Sequence, residues 1–296
     1  MIMSKKIAIT TGDPHGIGEE IARKALLELN IPKEQVVIVG KNLGLDYPSI
    51  GIDESSNGEF CFKALEVACD LAKNKKIQGI VTAPVSKKAL NDAGYNFNGQ
   101  TEVLEHFLAH DEQRAEMLFI AKDLRLMLLT RHLPLSKVQI SEEMIIEKTF
   151  RLNNFLKEKY KINSPKIALC ALNPHAGEDG LLGAEELDVF IPAVETLNEL
   201  DVRVSGPFPA DGLFAGIGEK YLGSKQQEYD AVISSYHDQG LCAVKALAFD
   251  EVVNTTIGLD IIRTSPSCGT AYDIKGKGIA RHQSMSEAIK LAFELA

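Results

Sequence analysis

Three kinds of segment are missing from this chain, and each absence excludes a class of protein. No apolar run approaches the ~18 residues of a membrane span. The run that precedes Gly12-Asp13-Pro14 is too short for a secretory leader, so a cytoplasmic protein without membrane attachment is expected. Basic clusters are scarce. Only Lys73-Asn74-Lys75-Lys76 stands out, in a chain of formal net charge −9, so nucleic acid is not an expected partner. An anionic ligand must instead be met by cations placed locally. Cysteine is sparse and unpaired in pattern. Cys61, Cys69, Cys170, Cys242 and Cys268 make an odd number with no CxxC, which argues for a reducing compartment over a disulfide framework.

Familiar nucleotide and metal signatures are also lacking. Gly12-x-x-x-Gly16-x-Gly18 is neither the dinucleotide GxGxxG nor a P-loop, because no Lys-Ser/Thr follows it. It reads as a tight strand-to-helix turn. No HExxH occurs to support a metal hydrolase.

What is present suits an α/β enzyme. The 296 residues, 45% hydrophobic and 25% charged, can build one large domain or two lobes. Short apolar runs at 6–11, 35–39, 77–82, 124–130, 166–170 and 230–236 read as strands buried on both faces. Helical patterns lie at 17–29, 60–73, 102–108, 141–160, 185–199 and 284–295. This alternation predicts a largely parallel sheet covered by helices. The polar stretch 40–58 reads as a surface connection.

Most of these strands run into polar clusters, and ligands of open α/β sheets bind beyond the carboxyl ends of strands. Three of the clusters carry a histidine at a matching place. His132, His175 and His237 each follow an apolar strand pattern directly. Imidazole is a common ligand of divalent metals, and three of them leave positions open for substrate oxygens. Spacing alone leaves unrelated loop histidines as the default. His106, His110 and His282 lie on or beside helical patterns and read as packing or surface residues; His15 carries no assignment.

Longer blocks decide the matter. They include Thr10-Thr11-Gly12-Asp13-Pro14-His15-Gly16, Thr82-Ala83-Pro84-Val85-Ser86-Lys87 and Leu172-Asn173-Pro174-His175-Ala176-Gly177-Glu178, then Gly206-Pro207-Phe208-Pro209-Ala210-Asp211, Tyr236-His237-Asp238-Gln239-Gly240-Leu241 and Arg263-Thr264-Ser265-Pro266. Over nearly its whole length the chain resembles the 4-hydroxythreonine-4-phosphate dehydrogenases of pyridoxal phosphate (vitamin B6) synthesis. The resemblance implies an isocitrate/isopropylmalate-dehydrogenase-like fold: two intertwined α/β lobes around a central cleft, together spanning 1–296, with no boundary legible in composition. It also implies a homodimer with a shared active site. His132 and His175 of one chain and His237 of the other would bind a divalent cation such as Zn, Mg or Co. Gln100, Thr101, Asp211, Lys245, Asn254 and Arg263 would bind the phosphorylated substrate. The implied reaction is the NAD-dependent oxidation and decarboxylation of 4-phosphooxy-L-threonine to 3-amino-2-oxopropyl phosphate. A looser similarity, to the adenosine loop of isopropylmalate dehydrogenases, assigns Gly269, Thr270, Ala271, Asp273 and Ile274 to the cofactor. A carboxylate at Asp273 would favour NAD over NADP.

The chain departs from the family at Gln100, where His is usual, at Ser267-Cys268 in place of Asp-His, and at Arg131 in place of a common Thr. Glutamine hydrogen-bonds but cannot carry charge or shuttle a proton. These changes leave open a sister dehydrogenase for another phosphorylated hydroxy acid, and a non-catalytic metabolite-binding relative.

Overall fold

The computed structural model describes every residue except 1–4, 55 and 112. The leader reading above therefore lies partly outside the described residues, as does one position of the 40–58 stretch. The chain forms two compact units, one of residues up to Ala115 together with Asp250–Ala296, the other Glu116–Phe249.

The first unit opens with β1 (Ile7–Thr10), α1 (Gly18–Leu29), β2 (Val36–Gly40) and β3 (Ser49–Gly51). It continues through α2 (Asn57–Lys73), β4 (Gly79–Thr82), α3 (Lys87–Asp92) and α4 (Gln100–Leu108). The second unit contains β5 (Glu116–Ala121), β6 (Leu124–Leu128), α5 (Glu142–Lys159), β7 (Ile167–Cys170), α6 (Ile191–Glu199), β8 (Val204–Phe208), α7 (Ala210–Leu222), β9 (Ala231–Ser234) and α8 (His237–Ala248). The chain then returns to the first unit as β10 (Val253–Ile257), β11 (Ile262–Pro266) and α9 (Gln283–Leu295).

In the first unit the strand order is β3-β2-β1-β4-β11-β10, parallel except for β10 against β11. Every residue of β1, β2 and β4 is buried, as expected of strands covered on both faces. Ala8, Val37 and Ile80 pack with Ala64, Leu65 and Ala68 of α2 and with Val103 and Leu104 of α4. In the second unit the order is β5-β6-β9-β7-β8, with β5 antiparallel to β6 and the remaining pairs parallel.

Five strands escape the sequence pattern, for identifiable reasons. β10 (Val-Asn-Thr-Thr-Ile) and β11 (Ile-Arg-Thr-Ser-Pro) are too polar to read as apolar runs. β8 contains Gly206-Pro207, which signals a turn. β5 sits one short connection before β6 and gave no separate signal. β3 lies inside 40–58 and spans only three residues, pairing in parallel with β2. Within the two units, the antiparallel pairs β10–β11 and β5–β6 stand beside parallel ones. α2 and α5 start where Ser56 and Ser141 accept hydrogen bonds from the amides of Glu59 and Met144, the expected N-cap arrangement. All five cysteines are free thiols, and burial pushes those of Cys69 and Cys170 up to about 12.

Candidate active site

The carboxyl ends of β6 and β9 bring two of the expected histidines together. Leu128 pairs with Ser234, and the ladder runs on through Leu129 N to Ser234 O at 2.8 Å and Thr130 N to Ser235 O at 3.2 Å. Residues shortly past both strands are thus neighbours. The rings of His132 and His237 lie 5.5 Å apart between centroids. They line a cleft of about 270 Å³ with Arg131, Leu133, Tyr236 and Asp238.

Tyr236-His237-Asp238-Gln239-Gly240 reads as a loop from sequence, but His237 begins α8. The Gln239 carboxamide accepts from Ser235 N at 2.7 Å and donates to Ala171 O at 2.8 Å, tying the end of β9 to that of β7. Gly240 lets the helix approach the sheet: a Cβ there would lie 2.5 Å from Ser234 Oγ and 2.6 Å from Leu126 Cδ2. His237 Nδ1 meets Asp238 Oδ1 at 2.7 Å, which leaves Nε2 turned to other partners. Orientation of one ring nitrogen by a carboxylate is typical of metal-binding imidazoles. The donor set therefore fits a divalent cation. Among the described residues no three His, Cys, Asp or Glu side chains of the chain form such a cluster.

His175 stands on the exposed turn beyond β7, with left-handed backbone at His175 (φ 53°), Ala176 (φ 54°), Glu178 (φ 44°) and Asp179 (φ 53°). Such conformations cost L-residues about 1–2 kcal/mol each and must be held by their surroundings. Asp211 lies exposed in the first turn of α7, and Lys245 lies two turns beyond His237 in α8. The structure thus pairs His132 with His237 inside one chain, where the resemblance joins His132 to His175.

The first unit carries the other expected substrate residues. Arg263 on β11 is 2% exposed. Its Nε and Nη2 donate to Thr82 Oγ1 at 2.9 and 2.6 Å, and Nη1 donates to Thr256 Oγ1 at 3.4 Å. Burial lowers its pKa to about 10, opposed by the nearby charge of Glu102, so the cation persists at neutral pH. Gln100 begins α4 and donates through Nε2 to Ala83 O at 3.2 Å, while its Oε1 is buried without a partner. Asn254 Oδ1 is likewise buried and unpartnered. Thr101, beside Gln100, is 5% exposed. Arg263 is thus a buried cation, and the oxygens of Gln100 and Asn254 are buried acceptors without a partner.

The expected cofactor residues form a turn against the Gly-rich segment after β1. Ile17 N donates to Thr270 O at 3.0 Å. Ala271 is left-handed and leads into a short turn, Tyr272–Ile274, that leaves Asp273 exposed. Tyr272 OH donates to Asp13 Oδ2 at 2.6 Å, and His15 N donates to Asp13 Oδ1 at 2.9 Å. Burial raises the Tyr272 phenol, reinforced by the Asp13 carboxylate. A cleft of about 300 Å³ adjoins this turn, lined by Gly16, Arg23, Asn42, Leu43, Lys275 and Gly276 among others. Sequence reasoning did not single out Asp13, Tyr272 or Glu186. The first sits in a Gly-Asp-Pro turn and the last in a helical pattern, where a carboxylate is ordinarily solvated. His282, read as packing, meets Glu28 at 2.9 Å.

Comparison with known proteins places the chain in a family. Residues 5–292 match the family described as pyridoxal phosphate biosynthetic protein PdxA. The 4-hydroxythreonine-4-phosphate dehydrogenase of Nostoc sp. is 37% identical, over 98% of this chain and 92% of the relative. The crystal structure of 4-hydroxythreonine-4-phosphate dehydrogenase from Klebsiella pneumoniae superposes with a TM-score of 0.82 at 33% identity, covering 99% of this chain and 98% of that one. Isocitrate dehydrogenase from Methylococcus capsulatus shares the fold alone, with a TM-score of 0.53 at 14% identity over 98% of this chain and 85% of that one.

Proposed function

The chain belongs to the PdxA family of pyridoxal phosphate biosynthesis, an oxidoreductase family, and from that premise we propose that it oxidises and decarboxylates 4-phosphooxy-L-threonine with NAD. The product is 3-amino-2-oxopropyl phosphate. The observation that carries this reading is the His132–His237 pair at 5.5 Å beside a carboxylate-oriented ring nitrogen. His132, His175 and His237 would hold a divalent cation (Zn, Mg or Co). When bound, that cation would supply polarisation of the substrate alcohol and charge stabilisation on loss of carbon dioxide, and the nicotinamide would supply the hydride acceptor.

The chain's own residues bind and orient. Arg263, fixed as a planar fork by Thr82 and Thr256, suits a carboxylate or phosphate oxygen pair. Lys245 supplies a second cation. The unpartnered oxygens of Gln100 and Asn254 accept from an ammonium or hydroxyl group. Asp211 serves the substrate amine or the metal. Asp273, exposed on its turn, accepts from the adenosine ribose, which disfavours a 2′-phosphate and hence NADP.

A homodimer completes the site. α7 is strongly apolar, yet only Ile217 and Gly218 of it are buried, and Leu222 is 73% exposed. Phe249, just past α8, is 51% exposed. These faces suit a second copy, and Asp211, His237 and Lys245 sit on the same two helices. No helix among the described residues is long and apolar enough to cross a membrane, and the five free thiols suit the reducing cytoplasm.

Incubation with 4-phosphooxy-L-threonine, NAD and a divalent cation, followed by mass spectrometry, should yield 3-amino-2-oxopropyl phosphate. Turnover of 4-phospho-threonate, which lacks the amine, at an equal or greater rate would favour the sister-enzyme reading instead.

A further inference from the structure

A buried carboxylate outside the expected site grips the turn that carries His175. Glu186 is 2% exposed. Its Oε1 accepts from the backbone amides of Leu172 at 2.9 Å and Asn173 at 2.8 Å, and its Oε2 accepts from Asn173 Nδ2 at 3.0 Å. Glu185 Oε2 accepts from the same side-chain nitrogen at 2.8 Å. Both backbone donors lie within three residues of His175. The contact recurs on the far side of the turn: a Cβ at Gly177, whose φ is +79°, would lie 2.6 Å from Glu186 Oε2.

Local backbone geometry explains how Glu186 reaches the turn. Glu186–Phe190 forms a π-turn ahead of α6, a widened helical turn that recurs at functional positions. Three donors converge on one side chain, so a group with acceptor capacity on both oxygens is required. An ionised carboxylate offers this, and a carboxamide does not. Without those bonds, the left-handed residues from His175 to Asp179 have alternatives of lower conformational energy.

We propose that Glu186 is the positioning residue of the metal site, holding the Asn173–Glu178 turn so that His175 is presented as a ligand. This rests on the reading of His175 as a ligand given above. Glu186 touches neither substrate nor metal and acts through His175 alone. Partners that orient a metal-binding imidazole typically change metal affinity about 10- to 100-fold when lost.

Cobalt(II) titration of the full-length chain, followed by visible absorption, tests the inference. Glu186→Gln keeps the size of the side chain and should weaken cobalt binding at least tenfold relative to the unaltered protein. In a His175→Ala background, Glu186→Gln should change cobalt affinity less than twofold, because the residue through which it acts is gone. A purely structural role would give the same loss in both backgrounds and would overturn the inference, as would equal cobalt affinity with and without Glu186→Gln. If Glu186→Gln does not fold, as judged by circular dichroism, Asn173→Ala replaces it in both backgrounds and must show the same dependence on His175. A distinct result bears on the ligand set: if His175→Ala alone leaves cobalt binding unchanged, the metal reading of His175 fails, and this inference fails with it.

Discussion

His132 and His237 of one chain stand with ring centroids 5.5 Å apart because their strands are adjacent and parallel, in register at Leu128 and Ser234. This closeness lies within one chain, whereas the resemblance takes His237 of a shared site from the partner subunit. The closeness does not supply the third ligand, which the account takes from His175.

The first prediction concerns sharing between subunits. The resemblance places His175 and His237 of each site on different chains. His175→Ala and His237→Ala proteins should each be inactive. After subunit exchange the mixture should recover part of the activity, because one site of each heterodimer keeps all three ligands. An inactive mixture in which native mass spectrometry detects heterodimers would refute the shared site.

Arg263 gives the second prediction. It is buried, and its planar fork is held by the hydroxyls of Thr82 and Thr256. Arg263→Lys preserves charge but loses the bidentate geometry. The substrate KM should rise roughly tenfold or more, the size of one charge-assisted hydrogen bond. Steady-state kinetics with an unchanged KM would remove Arg263 from the substrate site.

Cofactor binding supplies the third. Tyr272 OH donates to the fully buried Asp13 carboxylate and so fastens the turn that carries Asp273. Tyr272→Phe should raise the KM for NAD and leave that for the substrate close to its original value. Asp273→Asn should shift the NAD/NADP ratio of kcat/KM toward NADP. A ratio that stays the same would show that Asp273 does not face the ribose.

The fourth prediction is about stability. Glu116, 3% exposed, pairs with Lys148 at 2.5 Å and Arg151 at 3.2 Å. Glu116→Ala strands the Lys148 ammonium, while Arg151 keeps Glu147 at 2.8 Å, and should cost about 3 kcal/mol, read as a lowered denaturation midpoint. Burial also holds the Lys148 ammonium below its ordinary value, though Glu116 opposes this. The native state then releases that proton before the unfolded chain does. Stability therefore gains as pH rises from the lowered native value toward 10.5, and Lys148→Met should flatten this alkaline slope.

Much of the parallel framework was legible because strands buried on both faces are continuous apolar runs, as in β1, β2 and β4. The histidines were legible because they directly follow such runs. The remainder was hidden by chemistry. β10 and β11 carry Asn254 and Arg263, and polar residues of this kind mask a strand. Glu186 was invisible for a related reason. Its partners are backbone amides fourteen and thirteen residues earlier, and a helical pattern does not reveal them.

The central claim is that the histidine cleft supports metal-dependent oxidation of 4-phosphooxy-L-threonine. Absorbance at the NADH band, with chelator-treated protein, NAD and this substrate, tests it most directly. The account predicts no absorbance until a divalent cation is restored, then steady NADH formation that His237→Ala abolishes. Formation of NADH at full rate without any divalent cation, or none with Zn, Mg or Co and either nicotinamide cofactor, would contradict it.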